Sequence, residues 1–361
     1  MNTTVEVLGF AREPGWLPWA VTYFFLIGIS TSAFFLSLPG LAWRHPDWRH
    51  VSWRALLVAL VCGVAGPVAL LADLHQPGRF LNFYLHPNLG SWMAWGSFFI
   101  PLYLCGLFLY AWLCLRPQLA ALGQSGDRFV RVYRALAYGG HDNRGAIKAA
   151  ALLGGIGAAL ILLYTGMEVM VVQARPMWHS PVLPLLLFVT ALSGGLGMTG
   201  LFEALSGSKT GAPLINRWLV RCQWAMLLLL LSWGLSGVSG MSSAAAEALA
   251  AMQGAFSWWV TGAWLIGSTV LTLWLASAYR HTLVLPTLFA LQGVWLVRWV
   301  VLMVSQSLPK MGATTRHYAL TMTPDGLLGI VGMVGLCLTI YVVLTSLIPW
   351  NDLAQDRGVQ S

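Results

Sequence analysis

Charged side chains are scarce in this sequence. Asp, Glu, Lys and Arg together make up 9% of its 361 residues, whereas hydrophobic residues make up 58% and the mean hydropathy is +0.71. Soluble globular domains carry roughly 25% charged residues, so this chain lacks the polar surface that a soluble fold needs. The composition excludes a soluble globule and indicates a polytopic membrane protein.

Paired metal ligands are also missing from the sequence. The five cysteines stand singly and form no CxxC pair, which argues against a disulfide framework and against iron–sulfur ligation. The eight histidines fall in loops or at the ends of apolar runs, whereas a di-histidine haem needs ligands that face each other inside a bundle. We therefore expect no haem, no iron–sulfur cluster and no metal in this chain.

Long apolar runs are what the sequence has in abundance, each close to the roughly 20 residues that cross a bilayer. Nine are present, at 17–43, 54–76, 92–115, 148–173, 181–205, 217–240, 257–280, 284–308 and 326–349. Helices satisfy their own backbone groups in lipid. The predicted fold is therefore all-α, a polytopic membrane helical bundle of about nine transmembrane helices.

The first apolar run has neither the basic segment nor the cleavage site of a secretory signal before it, so we expect the first helix to be retained. We divide the chain into a periplasmic N-terminal segment at 1–16, the transmembrane bundle at 17–349 and a cytoplasmic tail at 350–361. GGIGAA at 154–159 follows no strand and predicts close helix packing rather than a phosphate loop.

Basic residues are distributed unequally between the two sets of loops. Of the 20 Lys and Arg, fourteen fall in or beside one set and five in the other, while Arg298 lies within a run. The positive-inside rule then predicts an outside N-terminus and a cytoplasmic C-terminus. The basic 116–148 loop is interpreted as a cytoplasmic linker, with no nucleic-acid partner.

Several polar side chains interrupt the apolar runs near the outer face. Asp73 ends the second run, Glu168 lies in the fourth, and Arg298 lies in the eighth with Gln306 beyond it. A charge in hydrocarbon costs at least about 2.5–3.5 kcal/mol, so such residues usually face a partner, a cavity or a ligand. We interpret this convergence from separate helices as a ligand site.

The fourth run adds a pattern of its own. At about 100° per residue, Tyr164, Glu168 and Arg175 fall on one stripe of a helix. Structural explanations exist as well: Asp73 could pair with Arg79, and Glu168 with Arg298. Tryptophans, including Trp92 and Trp178, suit the aromatic belt of a membrane interface.

A quinone or quinol suits such a site, because its headgroup needs hydrogen-bond donors and a base while its tail needs an opening to lipid. A secondary transporter and a purely structural membrane anchor stay open as alternatives. Glu203, near the cytoplasmic end of the fifth run, is the intramembrane candidate for an inward proton path, but we favour its interpretation as a helix-end charge that reaches out to water.

Three segments resemble the polysulfide-reductase-type (NrfD-like) membrane subunits: LLADLHQPGRFLNFYLHPNLGSWMAWGSFF, LLYTGMEVMVVQARPMWHSPVLPLLLF and WLVRWVVLMVSQSLPK. With GWLPWAVTYFFLIGIS and TPDGLLGIVG, they are most similar to the tetrathionate reductase type within this family. The resemblance runs from about residue 14 to 349 and is weak in the 116–148 loop and in the sixth and seventh runs.

The resemblance implies an eight-helix core, with one additional helix here, that contains no haem. Such a bundle lies in the bacterial inner membrane and anchors a periplasmic iron–sulfur subunit with 4Fe–4S clusters and, beyond it, a molybdopterin catalytic subunit. It also implies oxidation of menaquinol or ubiquinol in the outer leaflet. Carried over to this sequence, the quinone-site tyrosine is Tyr164, the acidic residue is Asp73, and the arginines are Arg175 and Arg298.

The same motifs add Arg79, Trp92 and Gln306 as candidate headgroup-binding residues. The stretch before the first run, REPGWLPW, departs from the family pattern, so no ligand from the first helix is assigned. We expect Glu168 or Asp73 to accept the first proton and Tyr164 to hydrogen-bond the headgroup. Arg175 and Arg298 would set the pKa values of the carboxylates and stabilise anionic quinone intermediates.

The outer loops carry basic residues against the general trend. Arg79, Arg175, Lys310 and Arg316 lie in the loops at 77–91, 174–181 and 309–325. An acidic or cluster-bearing periplasmic partner would explain them. We therefore expect the iron–sulfur subunit to dock on these loops.

Overall fold

The structure is a computed structural model that describes residues 15–74, 76–124, 129–253, 256–307 and 319–354. The described residues are arranged as α-helices joined by turns and short 3-10 segments. In chain order they are α1 (Pro18–Leu41), α2 (Arg49–Asp73), α3 (Asn82–Leu85), α4 (Trp92–Leu122), α5 (Val130–Leu136), α6 (Arg144–Met170), α7 (Val182–Leu205), α8 (Ala212–Val238), α9 (Ser243–Gln253), α10 (Phe256–Ala278), α11 (Val284–Leu302), α12 (Leu327–Leu347) and α13 (Trp350–Ala354).

Within the described ranges, nine helices are long and apolar enough to cross a membrane: α1, α2, α4, α6, α7, α8, α10, α11 and α12. Each corresponds to one predicted run, so the all-α bundle of about nine spanning helices is confirmed. The short helices α3, α5, α9 and α13 lie between or after the spans and were not predicted. The limits of the predicted terminal segments stay predictions, since most of both segments lies outside the described residues.

Two span ends differ from the prediction near the candidate site. Helix α6 ends at Met170, where the sequence predicted helix to 173, and the chain turns before Pro176, a residue that disfavours helix in its predecessor. The run at 284–308 is divided, because α11 ends at Leu302 and a 3-10 turn follows at Val304–Ser307.

Helix α1 is the centre of the bundle. In its most apolar stretch 83% of the residues are buried, against 11% for the peripheral helix α12. Small residues permit close approach of the neighbouring helices. Ser32 donates a hydrogen bond to the Ala191 carbonyl oxygen of α7 at 2.6 Å, and Ser30 is hydrogen-bonded to the Tyr103 hydroxyl of α4 at 2.7 Å.

Helices α4 and α6 pack through glycine. A Cβ on Gly157 would lie 2.6 Å from the Cα of Tyr103, and Gly154 meets Gly106 backbone to backbone. The prediction that 154–159 serves helix packing is thereby confirmed.

The bundle has two ends with different polar groups. We call the end at which α1 begins and α2 terminates the Asp73 end, and the end at which α7 terminates the Glu203 end. The side of the membrane that each end faces stays a prediction.

Candidate functional site

A cavity of about 280 Å³ lies at the Asp73 end, between α1, α2, α4 and α6. Ligand pockets typically have volumes of about 300–1,000 Å³, and this cavity is close to the lower limit. Three predicted site residues line it together: Asp73, Tyr164 and Glu168. The ionisable groups that come from separate predicted helices are therefore neighbours in space.

The deep wall of the cavity is formed by α6. Tyr164 and Glu168 stand one helical turn apart, and their side chains are 2% and 8% exposed. The Oε2 atom of Glu168 is buried and has no hydrogen-bond partner among the described residues. Because a buried polar atom without a partner is costly, a ligand hydroxyl that donates to Glu168 would be stabilised here.

A second tyrosine adjoins this wall and was not predicted from the sequence. Tyr23 of α1 is fully buried, and its hydroxyl is also without a hydrogen-bond partner among the described residues. Tyr23 and Tyr164 interact with each other and with Glu168. The three side chains form a compact polar group, and α1 contributes to it through a residue inside the helix, not through the stretch before it.

Asp73 connects the cavity to the start of α1. Its Oδ1 atom accepts a hydrogen bond from the Leu17 backbone nitrogen at 3.1 Å. Leu17 occupies the N-cap position and has no capping side chain of its own, so Asp73 of α2 caps α1 from outside that helix. Asp73 is half-buried and also interacts with Glu168.

The remainder of the cavity is apolar and partly open. Trp16 and Phe24 form one side, with ring centroids 5.4 Å apart. Leu71, Phe80, Tyr84 and Met93 form the opening, and each of the four is more than 40% exposed. The cavity is therefore polar at its buried end and apolar at its exposed end.

The opening is covered by the segment that contains α3. The Tyr84 hydroxyl donates a hydrogen bond to the Ser97 carbonyl oxygen at 2.9 Å. Partial burial raises the pKa of the Tyr84 phenol above its ordinary value, so this group remains a neutral donor at physiological pH.

Arg298 of α11 is buried against α1 and α7. The guanidinium is 2% exposed and donates to the Phe24 carbonyl oxygen at 3.0 Å and to the Thr190 hydroxyl at 2.9 Å. The suggested Glu168–Arg298 ion pair is wrong, because no such pair joins these two described residues and Arg298 directs its donors to α1 and α7. It does not line the cavity.

Arg175 is not on the Tyr164 stripe either, since α6 ends at Met170. It lies over the Trp178 ring, 4.9 Å from the centroid, and donates to the Ser305 carbonyl oxygen at 3.4 Å. Trp178 is 4% exposed and donates to Ser305 Oγ at 2.6 Å. Its interpretation as an interfacial belt residue is therefore wrong.

Gln306 fixes the segment before α1. Its Nε2 donates to the Trp16 carbonyl oxygen at 3.0 Å and its Oε1 accepts from the Trp16 nitrogen at 3.3 Å.

Trp92 opens α4 and is half-buried, without lining the cavity. Arg79 is exposed and lines a separate depression of about 410 Å³ beside the cavity. Lys310 and Arg316 lie outside the described residues.

A buried ionic cluster at the Glu203 end escaped the sequence analysis. Glu203 is 0% exposed, so its interpretation as a charge reaching water is wrong. Its carboxylate accepts from Nε2 of His50 at 2.5 Å, Nε of Arg54 at 3.3 Å and the Ser208 hydroxyl at 2.7 Å. The available signal was the four-residue spacing of His50 and Arg54, which places both on one face of α2.

Comparison with known proteins agrees with this arrangement of helices and motifs. A family model described as polysulphide reductase, NrfD, matches residues 9–310. The chain belongs to this family. The resemblance found in the sequence motifs is thereby confirmed.

Curated relatives of the chain include subunits of several reductases. The C subunit of tetrathionate reductase from Salmonella typhimurium is 33% identical over 353 residues, which cover 94% of both proteins. Protein NrfD of Escherichia coli is 25% identical over 79% of this chain and 92% of its own length. The C polypeptide of polysulfide reductase from Wolinella succinogenes is 26% identical over the same shares.

Proposed function

We propose that this chain is the quinol-binding and anchoring membrane subunit of a tetrathionate-reductase-type complex that oxidises quinol. The observation that supports this most is the division of the cavity at the Asp73 end into a polar buried part and an apolar exposed part. Its buried wall presents Tyr164, Glu168 and Asp73, whereas its exposed opening is formed by Leu71, Phe80 and Met93. A quinol has the same division, between a headgroup with two hydroxyls and a lipid-soluble tail.

The polar wall can bind a headgroup and take up its protons. Glu168 offers an oxygen without a donor, so it accepts a hydrogen bond from one quinol hydroxyl and then its proton. Tyr164 donates a hydrogen bond to the headgroup. Asp73, which interacts with Glu168 and is half-exposed, receives the proton next and passes it towards water. A positioned acid or base of this kind contributes typically about 10²- to 10⁴-fold.

The electrons require a partner. Oxidation of one quinol releases two electrons and two protons, and we propose that the electrons pass to the 4Fe–4S clusters of a periplasmic subunit and onward to a molybdopterin catalytic subunit. Membership of a family whose relatives are named as reductase subunits supports a multi-subunit complex. Menaquinol and ubiquinol both fit the division of the cavity.

The cavity position favours quinol chemistry over transport. A secondary transporter places its substrate site near the membrane midplane between repeats, whereas Asp73 is the last residue of α2 and Glu168 lies two residues before the end of α6. A structural anchor without quinol chemistry would need no unpaired carboxylate oxygen in a cavity.

The test is quinol-dependent reduction of the partner clusters in membranes that contain the assembled complex. We expect a combined Asp73→Asn, Tyr164→Phe and Glu168→Gln variant to assemble but to lose quinol oxidation. Glu247→Gln is the matched control, because Glu247 is exposed on α9. A triple variant that oxidises quinol at the wild-type rate would exclude this cavity.

Docking is tested separately by crosslinking. The depression that Arg79 lines, together with Asn82, His86 and Asn88, is open beside the cavity and carries both polar and apolar side chains. We expect cysteines placed at 86 or 88 to crosslink to the iron–sulfur subunit. Crosslinks restricted to the 116–148 loop would place the partner at the Glu203 end instead.

A further inference from the structure

Helix α4 contains a break in its hydrogen bonding beside the cavity opening. Pro101 has no backbone N–H, so the carbonyl of Ser97, four residues earlier, lacks its usual helical donor. The Tyr84 hydroxyl supplies a donor to this oxygen, at 2.9 Å. The Tyr84 ring also packs edge-on against Phe98, with centroids 5.6 Å apart.

This contact fixes a cover over the opening. The cover is the segment 80–84, whose Phe80, Phe83 and Tyr84 line the cavity. On its other side the same region exposes large apolar side chains, with Leu81 at 51%, Leu85 at 68% and Leu89 at 59% exposure. Large exposed apolar groups beside a spanning helix are stable when they face lipid.

The cover is continuous with a lipid-facing surface of α4. Phe98, which contacts Tyr84, is itself 39% exposed, and Trp95 is 40% exposed. This continuous apolar surface suits hydrocarbon at the membrane interface better than water. An apolar chain attached to a headgroup in the cavity would leave through this opening, against Phe80 and Tyr84.

We propose that the Tyr84–Ser97 hydrogen bond holds segment 80–84 against the side chain of the bound quinol, which makes Tyr84 a positioning residue for long isoprenoid tails. The proposal rests on the proposed quinol function. It assigns to Tyr84 a contribution to tail binding and none to proton transfer, because the hydroxyl is bonded to a carbonyl of α4 and not to Glu168.

The experiment compares wild-type complex with Tyr84→Phe, which keeps the ring and removes the hydroxyl. Two substrates are used: a quinol with a long isoprenoid chain and the same headgroup without a chain. We expect Tyr84→Phe to raise KM about two- to tenfold for the tailed quinol, and to leave kcat and the KM of the tail-less quinol unchanged. Tyr138→Phe is the control, since Tyr138 is 82% exposed beyond α5, near the Glu203 end.

Equal KM changes for both substrates, or none for either, would overturn the role of Tyr84. If the triple cavity variant is inactive while Tyr84→Phe behaves as wild type, the proposed function stands and the tail contact does not. If wild-type complex oxidises neither quinol, the proposed function is wrong.

A measurement independent of turnover uses a quinone analogue with a photoreactive group on its tail. We expect labelling at 80–84 and Met93 that decreases in Tyr84→Phe. Labelling confined to other helices would contradict the assigned path.

Discussion

The ring of Tyr164 lies directly against the backbone of Gly96. A Cβ at position 96 would come 2.6 Å from Cε2 of Tyr164, closer than carbon atoms can pack. Glycine at this point of α4 therefore allows α6 to turn its tyrosine towards the cavity, and the position of the Tyr164 hydroxyl depends on a residue that carries no chemistry itself.

Gly96→Ala should consequently displace the Tyr164 ring. Overpacking of this kind costs typically about 1–3 kcal/mol, and it displaces a ring that lines the cavity, so we expect quinol oxidation to fall further than in Tyr164→Phe. The measurement is kcat and KM for quinol at equal amounts of complex. Gly267→Ala on α10 is the control, since nothing lies within 4 Å of its added Cβ. Wild-type kinetics for Gly96→Ala would show that Tyr164 needs no such placement.

Glu168→Gln tests the first proton acceptor. The substitution removes a basic oxygen and changes the volume little, so the complex should assemble while quinol oxidation falls about 10²- to 10⁴-fold. Tyr164→Phe should cost less, because one hydrogen bond contributes about 0.5–1.5 kcal/mol. Both are compared by the rate of cluster reduction after quinol addition. A rate near wild type for Glu168→Gln would transfer the role of first acceptor to Asp73.

The bundle was predictable because span length and hydropathy are local properties of the sequence. The pairing of Tyr164 with Glu168 was predictable too, since residues four apart share a helix face. Arg175 was misplaced because the stripe was extended past Met170, and nothing in the periodicity marks that end. Partners of buried charges depend on which helices become neighbours, a tertiary property, which explains why both Arg298 and Glu203 were assigned wrong surroundings.

Arg298→Met should now behave differently from Glu168→Gln. Arg298 joins α11 to Phe24 of α1 and to Thr190 of α7, so its loss weakens helix packing. Desolvation relief offsets part of the lost hydrogen bonding, and we expect a net cost of about 1–3 kcal/mol. The readouts are the melting temperature in detergent and the quinol oxidation rate per assembled complex. We expect that rate to change less than threefold, which is about the effect of one weak hydrogen bond.

The double variant distinguishes the two roles of Arg298. If Arg298 and Glu168 act independently, the rate loss of Glu168→Gln and the stability loss of Arg298→Met should combine without interaction. The opposite result has two parts: Arg298→Met alone strongly slows quinol oxidation, and the double variant is no slower than the slower single variant. That result would show that the two residues are coupled despite their separate partners.

Glu203 offers the sharpest test of a structural charge in this chain. Its carboxylate is 0% exposed and accepts from Arg54, which is 3% exposed, and from His50. Glu203→Gln would leave the buried Arg54 and the half-buried His50 without their anion, and breaking a buried ion pair in this way costs about 3–5 kcal/mol. We expect a clearly lower melting temperature in detergent, with quinol oxidation per assembled complex unchanged because the cavity lies at the other end of the bundle.

A second substitution separates the lost ion pair from a general loss of packing at the Glu203 end. Adding Arg54→Met removes the buried cation that Glu203→Gln leaves without an anion, so the Glu203→Gln and Arg54→Met double variant should be more stable than Glu203→Gln alone. Glu247→Gln, on the exposed surface of α9, should change neither the melting temperature nor the rate. A loss of quinol oxidation in Glu203→Gln that exceeds the loss of folded complex would instead connect this cluster to the cavity.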